Sequence, residues 1–205
     1  MGSILEALSP EQQIACSTQN NILLTACPGS GKTRTLTHRL AYQVLRDPAS
    51  KKIKIAITYT NRAAEEITNR LEGMNIDQSS IWAGTIHQFC MHFIIRPYAM
   101  YSKRLCKGYR IIDDYSKKAY GREIAERLGM HLNYYDDPFQ YENVRTEYKR
   151  VLKEKKEIDF DAILLISEEL LASCAFIGSN IASVISSILV DEFQDTNELQ
   201  YSILS

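Results

Sequence analysis

The stretch Ala26-Cys27-Pro28-Gly29-Ser30-Gly31-Lys32-Thr33 has the residue types and spacing of a phosphate cradle. It follows the apolar run Ile22-Leu23-Leu24-Thr25 and opens a helical pattern. Strand, tight loop and helix form the context in which successive backbone N–H groups turn inward around an anion. The helix N-terminus behind the loop adds unpaired donors and partial positive charge. Gly29 and Gly31 allow the loop backbone, because glycine tolerates positive φ. Lys32 would reach the outer phosphates and the Thr33 hydroxyl would hold Mg²⁺. Ala26, Cys27, Pro28, Ser30 and Arg34 complete the nucleotide-binding set, although the general pattern begins with glycine where this chain has Ala26.

A second motif supplies the carboxylates such a site needs. The apolar strand Ser187-Ile188-Leu189-Val190 delivers Asp191 and Glu192 at its carboxyl end. The first carboxylate, Asp191, would hold Mg²⁺. The second, Glu192, would accept the proton of an attacking water. Together the two motifs point to ATP or GTP with Mg²⁺.

These residues must be held by alternating strands and helices. The spacing predicts a helix from Pro10 to about Thr18 with Ser9 as N-cap, a strand over Ile22–Thr25, and a helix over Lys32–Arg46 stopped by Asp47-Pro48. The β-branched run Ile53–Thr58 reads as a buried parallel strand. A helix over Arg62–Glu72, capped by Asn61 or Thr60, precedes a short strand at Ile81–Gly84 and a helix from about His87. Helices follow over Tyr141–Glu157, Phe160–Leu171 and Ile181–Ser186, and a final strand ends at Asp191. This order predicts an α/β domain with a mainly parallel sheet, interrupted by a helical insertion. The expected division is 1–95, 96–156 for the insertion, and 157–205.

Composition adds limits. The 205 residues are 45% hydrophobic, and no run of 18 apolar residues predicts a membrane span. Five scattered cysteines suit reduced thiols in a cytoplasmic protein better than a disulfide framework. The net charge is −1, but residues 96–156 hold 15 of the 24 Lys+Arg, 9 of the 25 Asp+Glu and nine of the twelve tyrosines. Basic charge tracks phosphate backbones and aromatic faces stack on bases. A solvated helical insert with core tyrosines explains the same composition equally well.

Motif by motif and in order, the chain resembles the UvrD/Rep/PcrA-like superfamily 1 DNA helicases over nearly its whole length. Leu8-Ser9-Pro10-Glu11-Gln12-Gln13 is similar to the family's adenine-recognising glutamine motif, with Gln12 as the adenine reader. Ala26–Thr33 is similar to the family's own P-loop, which also tends to begin with alanine. Thr58-Tyr59-Thr60-Asn61-Arg62-Ala63-Ala64 resembles motif Ia, and Gly84-Thr85-Ile86-His87 resembles the next DNA-contacting motif, with Ile86 in place of an aromatic. Ile158-Asp159-Phe160-Asp161 matches a signature preceding the Walker B strand. Asp191-Glu192-Phe193-Gln194-Asp195-Thr196-Asn197 is the most specific match.

The resemblance implies a three-layer P-loop (RecA-like) motor domain that uses Mg-ATP to move on single-stranded DNA, 3′ to 5′, and to open a single-strand/duplex junction. Tyr59, Thr60, Asn61, Arg62, Thr85 and His87 would line the strand; sheet packing for Tyr59 and burial for His87 are the competing readings. Lys32, Asp191, Glu192 and Gln194 would carry hydrolysis, Gln194 by sensing the γ-phosphate. Family members continue beyond Walker B through a strand inserted between the Walker A and Walker B strands, then a second motor domain that supplies arginines. No candidate for those motifs occurs here, so the expectation is a fragment that binds nucleotide but does not unwind without the remaining helicase domains or a complementary chain. Two other readings are a non-enzymatic nucleotide- or DNA-binding remnant of a helicase and another P-loop phosphotransferase.

Overall fold

The computed structural model describes residues 2–27 and 29–205. In chain order it contains α1 (Gly2–Leu5), α2 (Pro10–Ser17), α3 (Lys32–Arg46), β1 (Ile53–Thr58), α4 (Asn61–Gly73), β2 (Ile81–Thr85) and α5 (Ile86–Phe89). A π-helical stretch over Cys90–Ile95 leads to α6 (Arg96–Tyr98), β3 (Arg110–Ile111), α7 (Asp114–Arg127), α8 (Glu142–Lys155), β4 (Glu157–Ile158) and α9 (Phe160–Ser173). Then come α10 (Ala175–Val184), β5 (Ile185–Val190) and α11 (Glu198–Leu204). Two compact units result: residues 1–89 with 178–197, and residues 90–177 with 198–205.

The first unit is built on a parallel sheet in the order β2-β1-β5. β1 is central and buried along nearly its length, in keeping with the β-branched Ile53, Ile55, Ile57 and Thr58. Successive side chains alternate faces. Ala56 meets Leu40, Ala41 and Val44 of α3 and Ile67 and Leu71 of α4 in one cluster. A register shift between Ile53 and Lys54 marks a bulge in the pairing of β1 with β5. Ser187 on β5 donates to the Gln43 side chain of α3 at 2.8 Å.

Helix boundaries follow their caps. Ser9 and Gln12 form a reciprocal capping box at α2, and Thr60 accepts from the Ala63 N–H at the start of α4. Thr85 and Gln88 make the same reciprocal pair at α5, with bonds of 2.8 and 3.4 Å.

In the second unit, α7 and α8 pack around Ile112, Ile124, Val144, Tyr148 and Leu152. The parallel pair β3–β4 sets Arg110 opposite Glu157, and their side chains form an ion pair. Asp159 caps α9, accepts the Tyr148 hydroxyl at 3.1 Å and lies 3.4 Å from the Lys117 ammonium. Five of this unit's fifteen Lys and Arg side chains, Arg110, Lys117, Arg127, Arg145 and Arg150, pair with carboxylates. Among the described residues no helix is long and apolar enough to cross a membrane.

Two expected elements differ. Ile22–Thr25 is not a strand: it has no ladder partner among the described residues, and residues 21–27 are exposed. An apolar run becomes a strand only when its amides and carbonyls find a neighbour. The outer edge of β5 is likewise unpaired among the described residues, and Ile188 on it is exposed. The helix expected over Ile181–Ser186 runs over Ala175–Val184, and β5 begins at Ile185, where β-branched residues meet the β1 edge.

Gly84 has no room for a side chain. A Cβ there would meet the Trp82 ring at 2.6 Å and the Gln88 amide oxygen at 2.8 Å. Gly84→Ala is expected to lower stability by about 1–3 kcal/mol, the usual range for overpacking. Trp82 is the single tryptophan of the chain. Its fluorescence in a denaturant titration therefore reports the contact itself, and an unchanged midpoint would show that the ring can move aside.

Candidate functional site

The cradle is formed where α3 begins. Gly29 and Gly31 have φ of 77° and 92°, the left-handed conformation that glycine permits, and Gly31 is the N-cap of α3. Pro28 lies outside the described residues. Ala26, Cys27 and Ser30 are exposed, and the Lys32 ammonium rests on the Ala26 carbonyl at 3.2 Å. Gln12 braces the loop. Its side-chain carbonyl accepts the Ser9 N–H at 3.0 Å and its NH₂ donates to the Ser30 carbonyl at 3.1 Å. An amide has a second donor hydrogen and a second lone pair, so these bonds leave half of its capacity open. The Arg34 guanidinium donates to the Ala7 carbonyl at 2.9 Å.

Opposite the cradle stands the carboxyl end of β5. Asp191 is only 8% exposed and its N–H donates to the Ile57 carbonyl at 2.9 Å, extending the β1 ladder by one bond. The Thr33 hydroxyl donates to the Asp191 carboxylate at 3.1 Å across 158 positions of sequence. The two oxygens are separated by close to one edge of a Mg²⁺ octahedron, about 2.9 Å for 2.0–2.1 Å bonds. A hydroxyl and a carboxylate are also hard oxygen donors, so this pair fits that ion. Glu192 is exposed and has φ of 52°, left-handed for a residue with a Cβ. Its carboxylate accepts from the Gln194 side-chain amide.

The second residue group lies along the carboxyl edge of the same sheet. Register pairs Thr58 with Thr85, so Tyr59–Arg62 and Thr85–His87 leave adjacent strands side by side. Tyr59, Asn61 and Arg62 are exposed and His87 is half-buried. The Thr60 and Thr85 hydroxyls serve as helix caps, and Ile86 is buried.

A hydroxyl–carboxylate pair beside a left-handed glycine loop serves many nucleotide enzymes, and likeness to known proteins narrows the choice. The family model described as UvrD/REP helicase N-terminal domain matches residues 8–142 and 132–205. The chain belongs to this helicase family. It is 27% identical to DNA helicase II of Escherichia coli strain K12, over 97% of this chain and 31% of that protein. It is 27% identical to ATP-dependent DNA helicase PcrA of Leuconostoc citreum, over 92% of this chain and 29% of that one. For PcrA of Staphylococcus aureus strain Mu50 the identity is 26%, over the whole chain and 32% of the relative. This UvrD/REP-type chain thus spans about a third of the length of the curated relatives it matches.

Sequence reasoning missed two contributors to the site of this UvrD/REP-type domain. Gln88 closes the cap that fixes Thr85, and the Thr85-x-x-Gln88 spacing was a readable signal for it. Arg39 donates to the Ala15 and Asn20 carbonyls and so holds the end of α2 beside α3. No local pattern announces that contact.

Two thiols in the domain are shielded and two are open. Burial pushes Cys16 and Cys90 up to about 11. A raised thiol pKa keeps the unreactive protonated form until the pH nears that value. Cys27 in the loop and Cys106 are exposed. At pH 8, iodoacetamide is expected to label Cys27 and Cys106 in the native protein, and Cys16 and Cys90 only after unfolding, as read by peptide mass spectrometry. In a second test, Thr33→Val is expected to lower stability by about 1 kcal/mol, the typical net value of one hydrogen bond. Urea unfolding at an unchanged midpoint would mean that Asp191 is held without it.

Proposed function

We propose that this chain is the ATP-binding motor portion of a superfamily 1 DNA helicase, which couples Mg-ATP hydrolysis to 3′–5′ movement on single-stranded DNA and to duplex opening. The observation that carries the reading is the Thr33–Asp191 contact at 3.1 Å beside the Gly29–Gly31 loop. A surface turn with no nucleotide role has no need of a nearly buried carboxylate facing its first helical hydroxyl.

In this reading the backbone N–H groups of residues 29–33 take the phosphate oxygens, and Lys32 leaves the Ala26 carbonyl for them. Thr33 and Asp191 hold Mg²⁺, which neutralises phosphate charge when bound. Glu192 takes the proton of the attacking water. Its left-handed backbone supports the role, since strained φ gathers at functional positions. Gln194 already contacts Glu192, so loss of the outer phosphate alters an existing hydrogen bond and can be passed on to the DNA-facing edge. Gln12 spans Ser9 and Ser30, which couples adenine recognition to the loop. Tyr59, Asn61, Arg62 and His87 meet the strand directly, while Thr60 and Thr85 fix the helix starts that present them.

Phosphoryl transfer in this class also draws on an arginine at the γ-phosphate, worth on the order of 10³–10⁵ in turnover. The 205-residue chain is therefore expected to bind Mg-ATP and turn it over slowly, with the remaining helicase domains or a complementary chain needed for unwinding. Calorimetric titration should show Mg-ATP affinity weakened by about tenfold or more in Lys32→Ala, the scale of a hydrogen bond to a charged group. Equal affinity in both proteins would refute the site. Fast turnover stimulated by single-stranded DNA would refute the dependence on further domains.

A further inference from the structure

The tips of turns favour small polar residues, because they are solvated and their backbones are tightly bent. The second unit breaks that rule between α7 and α8. Tyr134 and Tyr135 are the two central residues of a turn closed by the Asp136 N–H on the Asn133 carbonyl at 3.2 Å. The Asn133 N–H donates back to the Asp136 carboxylate at 2.7 Å. The two rings are 82% and 94% exposed, with centroids 5.3 Å apart and planes at 90°. Two large aromatic faces are thus held out in water by a braced turn.

The turn is fastened to a charged helix face. The Arg122 guanidinium donates to the Asn133 and Tyr134 carbonyls and lies 5.6 Å from the Tyr134 ring centre. These partners are neutral, so the positive charge of Arg122 is not cancelled. Four and seven residues earlier on the same face of α7 stand Lys118, which is exposed, and Tyr115, 82% exposed. Neither Lys118 nor Arg122 has a carboxylate within ion-pair distance among the described residues, unlike five other cations of the unit. Asp136 and Asp137 are turned to backbone N–H groups within the loop.

We propose that this stripe is a second binding surface for single-stranded nucleic acid, with Tyr134 and Tyr135 as a stacking platform for bases and Lys118 and Arg122 tracking phosphates. Unneutralised cations between aromatic faces match the chemistry of a single strand, which offers alternating phosphates and π-faces. From Tyr115 to Arg122 the helix rises about 10 Å at 1.5 Å per residue. The choice of DNA rests on the function proposed above. The surface itself belongs to a different unit from Tyr59–Arg62 and Thr85–His87.

The test uses the nucleotide-free chain and an oligothymidylate of about 12 nucleotides, within the range one stacking groove covers. It carries 2-aminopurine, whose fluorescence is quenched on stacking, and anisotropy gives the affinity. Tyr134→Ala with Tyr135→Ala is expected to weaken binding by about tenfold or more and to relieve the quench, as losing a stacked base does. Tyr134→Phe with Tyr135→Phe is expected to keep both, and Lys118→Glu to weaken binding and flatten its salt dependence. Unchanged affinity in the double alanine variant overturns the proposal and leaves the turn for a protein partner. If Arg62→Ala loses binding while the tyrosine pair does not, the motor reading survives and this one falls. A parent chain that binds no oligonucleotide overturns both.

Discussion

The register of β5 on β1 is the constraint on which the first unit's candidate site depends, and the hydrogen bond from Thr33 to Asp191 reports it. That bond can form only if β5 lies in one register on β1, because the Asp191 N–H is hung from the Ile57 carbonyl. That register in turn requires β1 to be fixed from its other side, where Ala56 meets α3 and α4. A slip of one residue would turn every side chain of β5 to the opposite face and carry Asp191 away from the loop. Core packing, strand register and the first helical hydroxyl are therefore one arrangement.

The same economy governs the carboxyl edge of the sheet. Open α/β sheets gather ligands where strands end, because helix starts and loops converge there. Among the described residues three helices begin at that edge, two of them with side-chain caps. Gly31 starts α3, Thr60 starts α4 and Thr85 starts α5. A residue that caps a helix cannot freely offer the same oxygen to a ligand. That separates the residues that touch DNA in the proposed function from those that only aim them.

What could be read from the sequence was whatever is decided locally. The span of α3, the Ser9 cap of α2 and the β-branched β1 follow from periodicity and cap chemistry within a dozen residues, and the structure has them. The glycine turn ahead of α3 and the placing of Asp191 and Glu192 at a strand end were equally legible as geometry, since glycines and paired carboxylates at strand and helix ends leave few alternatives. Ile22–Thr25 was misread for the opposite reason: its composition is that of a strand, but strand formation depends on a neighbour. The tyrosines of the basic segment were undecidable in composition. Tyr148 is a core residue bonded to Asp159, while Tyr134 and Tyr135 project into solvent, and only the turn at Asn133–Asp136 tells them apart.

Glu192 carries a consequence of its own. A residue with a Cβ in the left-handed region costs about 1–2 kcal/mol relative to ordinary backbone. Glycine at this position would relieve that strain and remove the carboxylate in one step. In the proposed function, stability and turnover are therefore opposed at a single position, and any campaign that selects variants only for thermal endurance would drift towards a sturdier domain without the carboxylate assigned there as base.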